Sequence, residues 1–99
     1  MKSQLLEFTH PFKVVLATSS AQAAVMTIAP GSSSGGESVH KADQWLFVLS
    51  GRGEAQVAGT RHTLETNCLI VIEAGEVHEV FNTGEVPLET LNFYTPPEF

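Results

Sequence analysis

Residues 44–50 read QWLFVLS, and the residues after them show how the chain turns back on itself. Large apolar residues fill this stretch, as they do in many β-strands. Gly51-Arg52-Gly53 supplies a turn, and residues 54–58 then run back as a second strand. The stretch therefore predicts a β-hairpin rather than a helix.

Further strand candidates lie on both sides of this hairpin, separated by short turns rich in Gly, Pro and Asn. The run CLIVI at 68–72 is continuously apolar, which predicts a strand buried on both faces. Helix signals are nearly absent, so the spacing of strands and turns predicts an all-β sandwich or barrel. The flanking strand candidates are Phe12–Thr18, Gln22–Ala29, Arg61–Leu64, Cys68–Ile72, Val77–Phe81 and Leu88–Tyr94.

The length of 99 residues predicts a single domain over residues 1–99. We expect N-terminal strands over 12–29, a barrel core over about 31–94 and a short Pro-rich tail. The formal charge of −6 argues against binding to nucleic acid or to an anionic membrane surface. No signal-peptide pattern or long apolar run is visible, and Cys68 has no partner for an internal disulfide. These features predict a cytoplasmic protein.

The strand at 44–50 is largely apolar on both faces. One face carries Gln44, Leu46 and Val48, and the other carries Trp45, Phe47 and Leu49. A barrel interior covers only one of these faces. The second face is expected to meet another sheet, a second subunit, or a folded-over terminal strand such as residues 12–18. We therefore expect a homodimer, with burial by the chain's own N-terminal strands as the alternative.

Two segments resemble the two sequence motifs of the cupins: 38–51, SVHKADQWLFVLSG, and 67–82, NCLIVIEAGEVHEVFN. In the first segment, the positions of the family's His, His, Glu and Gly are held by Ser38, His40, Gln44 and Gly51. In the second, the positions of the family's Gly, Pro, Gly, His and Asn are held by Asn67, Glu73, Gly75, His78 and Asn82. The resemblance covers roughly residues 31–84 and implies a single-domain cupin, an antiparallel jelly-roll β-barrel.

In metal-binding cupins, two His and one Glu of the first motif join the His of the second around one ion. The resemblance therefore implies His40, Gln44 and His78 as metal ligands, while Ser38 stands where the first His is missing. We do not expect Ser38 to bind metal. Imidazole suits Zn, Ni, Fe and Cu, whereas the Gln oxygen is neutral and a weaker ligand than carboxylate. The implied cofactor is a divalent transition metal, Zn, Ni, Fe, Mn or Cu.

Four further polar residues near these motifs are given simpler roles. Asp43 adjoins Gln44, so on an extended strand its side chain points to the opposite face. His62 is more simply a surface residue than an additional ligand, and Glu79 a solvent-facing charge. Cys68 is expected to be a core thiol, because free Cys is among the most buried residue types.

Three functions are consistent with these residues. The first is a metal-centred pocket for a small organic ligand, as in a metal-dependent oxygenase or isomerase. The sequence indicates no catalytic residue beyond the implied metal ligands. The alternative is a non-catalytic small-molecule-binding module whose metal site is incomplete or empty. The third is a structural dimer with a vestigial pocket.

Overall fold

The computed structural model describes all 99 residues and consists of eight β-strands without a helix. Every predicted strand is present, and each end differs from its predicted position by at most one residue. The strands are β1 (Phe12–Ala17), β2 (Gln22–Ile28), β3 (Asp43–Ser50), β4 (Gly53–Val57), β5 (Thr60–Leu64), β6 (Leu69–Ile72), β7 (His78–Asn82) and β8 (Leu88–Thr95).

The strands form two sheets in which all neighbours are antiparallel. The larger sheet has the order β1-β2-β8-β3-β6, and the smaller has the order β5-β4-β7. This arrangement confirms the predicted all-β jelly-roll fold. No helix is present that has the length and apolar character needed to cross a bilayer.

The apolar core lies between the two sheets and draws side chains from both of them. Its largest fully buried members include Leu46 on β3, Leu64 on β5 and Leu88 on β8. Truncating a buried Leu of this kind to Ala costs about 2–5 kcal/mol of stability. The full cluster is Met26, Ile28, Leu46, Val48, Ala55, Val57, Leu64, Ile72, Val80 and Leu88.

Strand β3 shows the alternation expected from its sequence. Gln44, Leu46 and Val48 point inward and are buried, whereas Trp45 on the outer face is 43% exposed. The N-terminal strand does not cover Trp45, because β1 pairs with β2 at the far edge of the sheet. Within one chain, this part of the outer face of β3 therefore remains in contact with solvent.

The prediction that strand β6 is buried on both faces is wrong. Leu69 is 58% exposed and Val71 is 41% exposed, whereas Ile72 is buried. The strand is at the edge of the larger sheet and pairs only with β3. No second layer covers the outer face of the larger sheet, so only the inner face of β6 packs on the core, and its continuously apolar sequence leaves an apolar outer surface.

Two turns next to β3 depend on a left-handed backbone. Gly51 has φ +86°, and a Cβ on it would come within 2.6 Å of the Pro87 carbonyl oxygen. Asn67 has φ 75° and donates its main-chain N–H to the Val48 carbonyl at 2.8 Å. Asn tolerates this conformation better than most residues, so it replaces the Gly of the family motif without loss of the turn.

Candidate functional site

The three predicted site residues line one cavity of about 290 Å³ at the open end of the barrel. Polar side chains form one part of its lining and large apolar side chains form the rest. The polar residues are Thr27, Ser33, Ser34, Ser38, His40, Gln44 and His78, and the apolar residues are Pro11, Phe12, Met26, Ile28, Val80, Tyr94 and Phe99. The predicted residues are therefore brought together, and no Lys or Arg accompanies them.

The two His side chains meet because the loop before β3 is tied to the start of β7. Ser38 N donates to His78 O at 2.8 Å, and His78 N donates to Ser38 O at 2.9 Å. The Gly75 N–H also donates to His40 O at 2.9 Å. As a result, the centroids of the His40 and His78 rings are only 4.8 Å apart.

The ring of His78 is fixed by a contact with the main chain. Its Nδ1 is 3.0 Å from the carbonyl oxygen of Glu76. A carbonyl oxygen can only accept, so Nδ1 carries the proton and Nε2 keeps its lone pair. His residues that bind metals usually donate their second ring nitrogen in this way, which fixes the tautomer and the ring orientation. His78 is 5% exposed, so it is buried in this orientation.

The ring of His40 is oriented by a carboxylate. Its Nδ1 is 3.6 Å from Oε2 of Glu98, whose Oε1 accepts the N–H groups of Lys41 and Ala42 at 3.0 Å each. Burial lowers the pKa of His40 below its ordinary value of 6.5, and the charge of His78 lowers it further, whereas Glu98 acts in the opposite direction. The lowered pKa favours the neutral form of His40, the form in which an imidazole binds metal.

Gln44 has an unpartnered acceptor and lines the same cavity as the two rings. The residue is 3% exposed, and its Nε2 donates to Oδ1 of Asn92 at 3.0 Å. Its Oε1 is buried and has no hydrogen-bond partner. Leaving a buried polar atom unpaired costs free energy, so such an atom in a cavity wall indicates a position where a cation or a donor belongs.

These donors fit a divalent transition metal. His40 and His78 each have a ring nitrogen not used by the contacts described above, and Gln44 adds a neutral oxygen. Imidazole nitrogens and an amide oxygen are acceptable ligands for Zn, Ni, Fe and Cu. No group of three His, Cys, Asp or Glu side chains close enough to hold an ion is present anywhere in the chain, this cavity included, so a metal here would depend on the Gln44 oxygen. His40, His78 and Gln44 are thus the residues that would hold it.

The neighbouring residues are largely placed as the sequence predicts. Asp43 points away from the cavity, and its Oδ1 accepts the Ala74 N–H at 2.9 Å. His62 is exposed on β5 and does not line the cavity. Cys68 is half-buried and packs against the core cluster. Glu79 is not the predicted solvent-facing charge. It is half-buried and accepts a hydrogen bond from the Ser33 hydroxyl at 2.7 Å, and it thereby holds the Ser- and Gly-rich loop 31–36.

The sequence gives no sign that Phe12 and Phe99 belong to the cavity wall. The Phe99 ring centroid lies 4.9 Å from that of Phe12, 5.0 Å from that of Tyr94 and 5.7 Å from that of His40. Gln22 holds this segment, since its Oε1 accepts the N–H groups of Glu98 at 3.1 Å and Phe99 at 2.9 Å. The predicted Pro-rich tail gives no sign of this role, because the contacts join residues far apart in sequence.

Comparison with known proteins identifies the family of this chain. The family model described as "Cupin domain" matches residues 24–94. An uncharacterized protein of Bacillus subtilis, YrkC, is 32% identical over 82 residues, which are 77% of this chain and 44% of that protein. The chain thus spans less than half the length of this curated relative.

Solved structures agree with this assignment. The crystal structure of BH2720 from Bacillus halodurans is 29% identical and has a TM-score of 0.85, covering 90% of this chain and 72% of that one. A structure from Thermotoga maritima described as a predicted oxalate decarboxylase is 24% identical with a TM-score of 0.78, covering 87% of this chain and 79% of that one, and so shows the fold alone. Together with the barrel and the two motifs, these matches show that the chain belongs to the cupin family.

Proposed function

We propose that His40, His78 and Gln44 hold one divalent transition metal and that a small organic ligand binds beside it in the cavity. The unpartnered Oε1 of Gln44, next to two imidazoles, is the observation that carries this proposal. The three ligands leave coordination positions free for water or substrate, as catalytic metal sites require. The metal itself would be Zn, Ni, Fe, Mn or Cu.

The reaction we propose is that of a metal-dependent oxygenase or isomerase acting on an oxygen-bearing substrate. A bound metal would polarise a substrate oxygen as a Lewis acid. The residues of the chain orient and enclose the substrate: Phe12, Tyr94 and Phe99 provide an aromatic wall, and Met26 and Ile28 an aliphatic one. Ligand pockets span about 300–1,000 Å³, so a cavity of about 290 Å³ suits only a small substrate.

A metal would also determine which charge the ligand carries. The cavity wall contains no Lys or Arg, so a carboxylate in it has no fixed positive partner from the chain. Burying an unpaired carboxylate is costly. A small acid is therefore expected to bind only with the metal present, whereas a neutral ligand does not depend on it.

The alternative is a non-catalytic module that binds a small neutral molecule. The observation in its favour is that the set His40, His78 and Gln44 is neutral and lacks the carboxylate of the family's metal site. A neutral set attracts a cation less strongly. Thermal melting separates the two functions. If Zn²⁺, Ni²⁺, Fe²⁺ and Mn²⁺ all fail to raise the Tm of chelator-treated protein, the metal proposal fails and the module is favoured.

We further propose that the outer face of the larger sheet packs against a second copy of the chain in the cytoplasm. Trp45 is paired across the strands with Phe93 on β8 and with Val71 on β6, and all three are more than 40% exposed. A row of apolar side chains without charge is typical of protein interfaces. The same patch on two copies is self-complementary around a twofold axis.

A further inference from the structure

A row of polar side chains begins at the cavity and continues along the inner face of the larger sheet into the core. Gln44 on β3 is followed by Asn92 and Thr90 on β8, and the last two are completely buried. Their neighbours on this face include the apolar Leu46 and Val48. Thr90 and Asn92 do not line the cavity, so a ligand in it would not touch them.

The hydrogen bonds in this line have a direction that two main-chain carbonyls determine. Thr90 Oγ1 lies 3.1 Å from Met26 O, and a carbonyl only accepts, so the hydroxyl donates its proton there. Oγ1 then accepts from Asn92 Nδ2 at 2.9 Å, and the same Nδ2 faces Ala24 O at 3.5 Å. The amide of Asn92 is therefore oriented with its nitrogen toward these oxygens.

That orientation determines which atom of the Gln44 amide is left without a partner. With Nδ2 of Asn92 engaged, its Oδ1 faces Gln44 and accepts from Nε2 at 3.0 Å. Rotating the Gln44 amide would place two acceptor oxygens against each other. Rotating Asn92 as well would bring its oxygen against Ala24 O, in a buried place where unpaired acceptors are unfavourable.

We propose that Thr90 and Asn92 are positioning residues that hold the Gln44 carbonyl oxygen toward the cavity. Position 44 then offers a fixed acceptor, suited to a metal cation or to an N–H or O–H group of a ligand, and never a donor. Gln at this position is matched to Asn92, since a carboxylate would have no proton to give to Asn92 Oδ1. The part of this inference that concerns metal rests on the proposed function.

Co²⁺ titration of the full chain tests the metal part. Partners that orient metal ligands contribute about 10–100-fold in affinity, so Thr90→Val and Asn92→Leu are each expected to lower Co²⁺ affinity about tenfold or more and to alter its visible absorption bands. Val48 pairs with Thr90 across the strands but does not line the cavity, so Val48→Ala disturbs the same packing and serves as the control. Unchanged affinity in both positioning variants, or an equal loss in Val48→Ala, overturns the proposal.

Proton exchange of the Gln44 side-chain amide, followed by NMR in metal-free protein, tests the positioning itself. We expect slow exchange in the wild type, because Nε2 is buried and bonded to Asn92, and faster exchange in Thr90→Val. Equal rates overturn the proposal. If no variant binds Co²⁺, wild type included, the proposed function fails, and the exchange rates alone decide whether Thr90 and Asn92 position Gln44.

Discussion

The ring centroids of His40 and His78 lie 4.8 Å apart, although one residue precedes β3 and the other begins β7. The paired main-chain hydrogen bonds between Ser38 and His78 produce this proximity. Ser38 occupies the position of a His in the family motif. Its side chain offers no imidazole, but its main chain still holds His78 in place. The remaining two imidazoles line the same cavity as Gln44, and we propose that the three act on one ion.

Replacing His40 in the cavity is expected to weaken metal binding, whereas replacing the exposed His62 is not. His40→Ala removes a ligand from the cavity and should lower Zn²⁺ affinity by more than tenfold in calorimetric titration. His62→Ala is the matched control, because His62 is exposed on β5 and outside the cavity. Equal Zn²⁺ affinity in the two variants would mean that the metal binds elsewhere.

The pKa of His40 is expected to be below 6.5 in an NMR pH titration, since burial and then the charge of His78 disfavour the protonated ring. Glu98→Gln removes the opposing carboxylate and should lower this pKa further. A higher pKa in Glu98→Gln than in the wild type would contradict the account.

The same shift predicts how stability depends on pH. Because the folded-state pKa of His40 is lowered, the unfolded chain takes up a proton first as the pH falls below 6.5. The contribution of His40 to the free energy of unfolding is thus complete above pH 6.5 and declines until its folded-state pKa is reached. Urea unfolding of the metal-free protein should show this decline, and His40→Gln should reduce it. An unreduced decline in His40→Gln would assign the effect to other groups.

Most of the fold follows from local sequence, and the site follows from it only in part. Alternating side chains and turn residues such as Gly51 predict all eight strands. The two motifs bring His40, Gln44 and His78 into one cavity, as the resemblance implies. The exposure of Leu69 depends on whether a second layer covers the outer face of the larger sheet, and an apolar run does not contain that information.

The segment 96–99 illustrates the other limit of local patterns. Its position over the cavity depends on Gln22, at the opposite end of the chain, which bonds the main chain of Glu98 and Phe99. The Gln44–Asn92 pair likewise joins two strands. In a single sequence, such polar pairs look like isolated polar residues in apolar strands.

Gln22→Leu is expected to release the segment 96–99 from the cavity. The substitution removes three hydrogen bonds to the main chain of Glu98 and Phe99, two accepted by Oε1 and one donated by Nε2, each worth about 0.5–1.5 kcal/mol. Hydrogen exchange of those two amides should become faster, while the core amide of Leu46 remains protected. Unchanged exchange at residues 98 and 99 would show that the aromatic packing of Phe99 and the Glu98 contacts hold the segment without Gln22.

Trp45→Lys is expected to convert a dimer into a monomer. The charge would be placed in the middle of the apolar row formed with Phe93 and Val71, where it would be desolvated in an interface. Light scattering at micromolar concentration measures the mass of both proteins. The control is Thr63→Lys on the exposed strand β5, which should stay dimeric. A monomeric wild type would contradict the proposed dimer.

The most direct test of the proposed metal centre is the metal content of untagged purified protein, measured by inductively coupled plasma mass spectrometry beside the His40→Ala/His78→Ala double variant. We predict close to one transition-metal ion per chain in the wild type and none in the variant. This result would also identify the ion. No metal in either protein, even after incubation with Zn²⁺, Ni²⁺, Fe²⁺, Mn²⁺ and Cu²⁺ salts, would contradict the metal site and favour the neutral-ligand module.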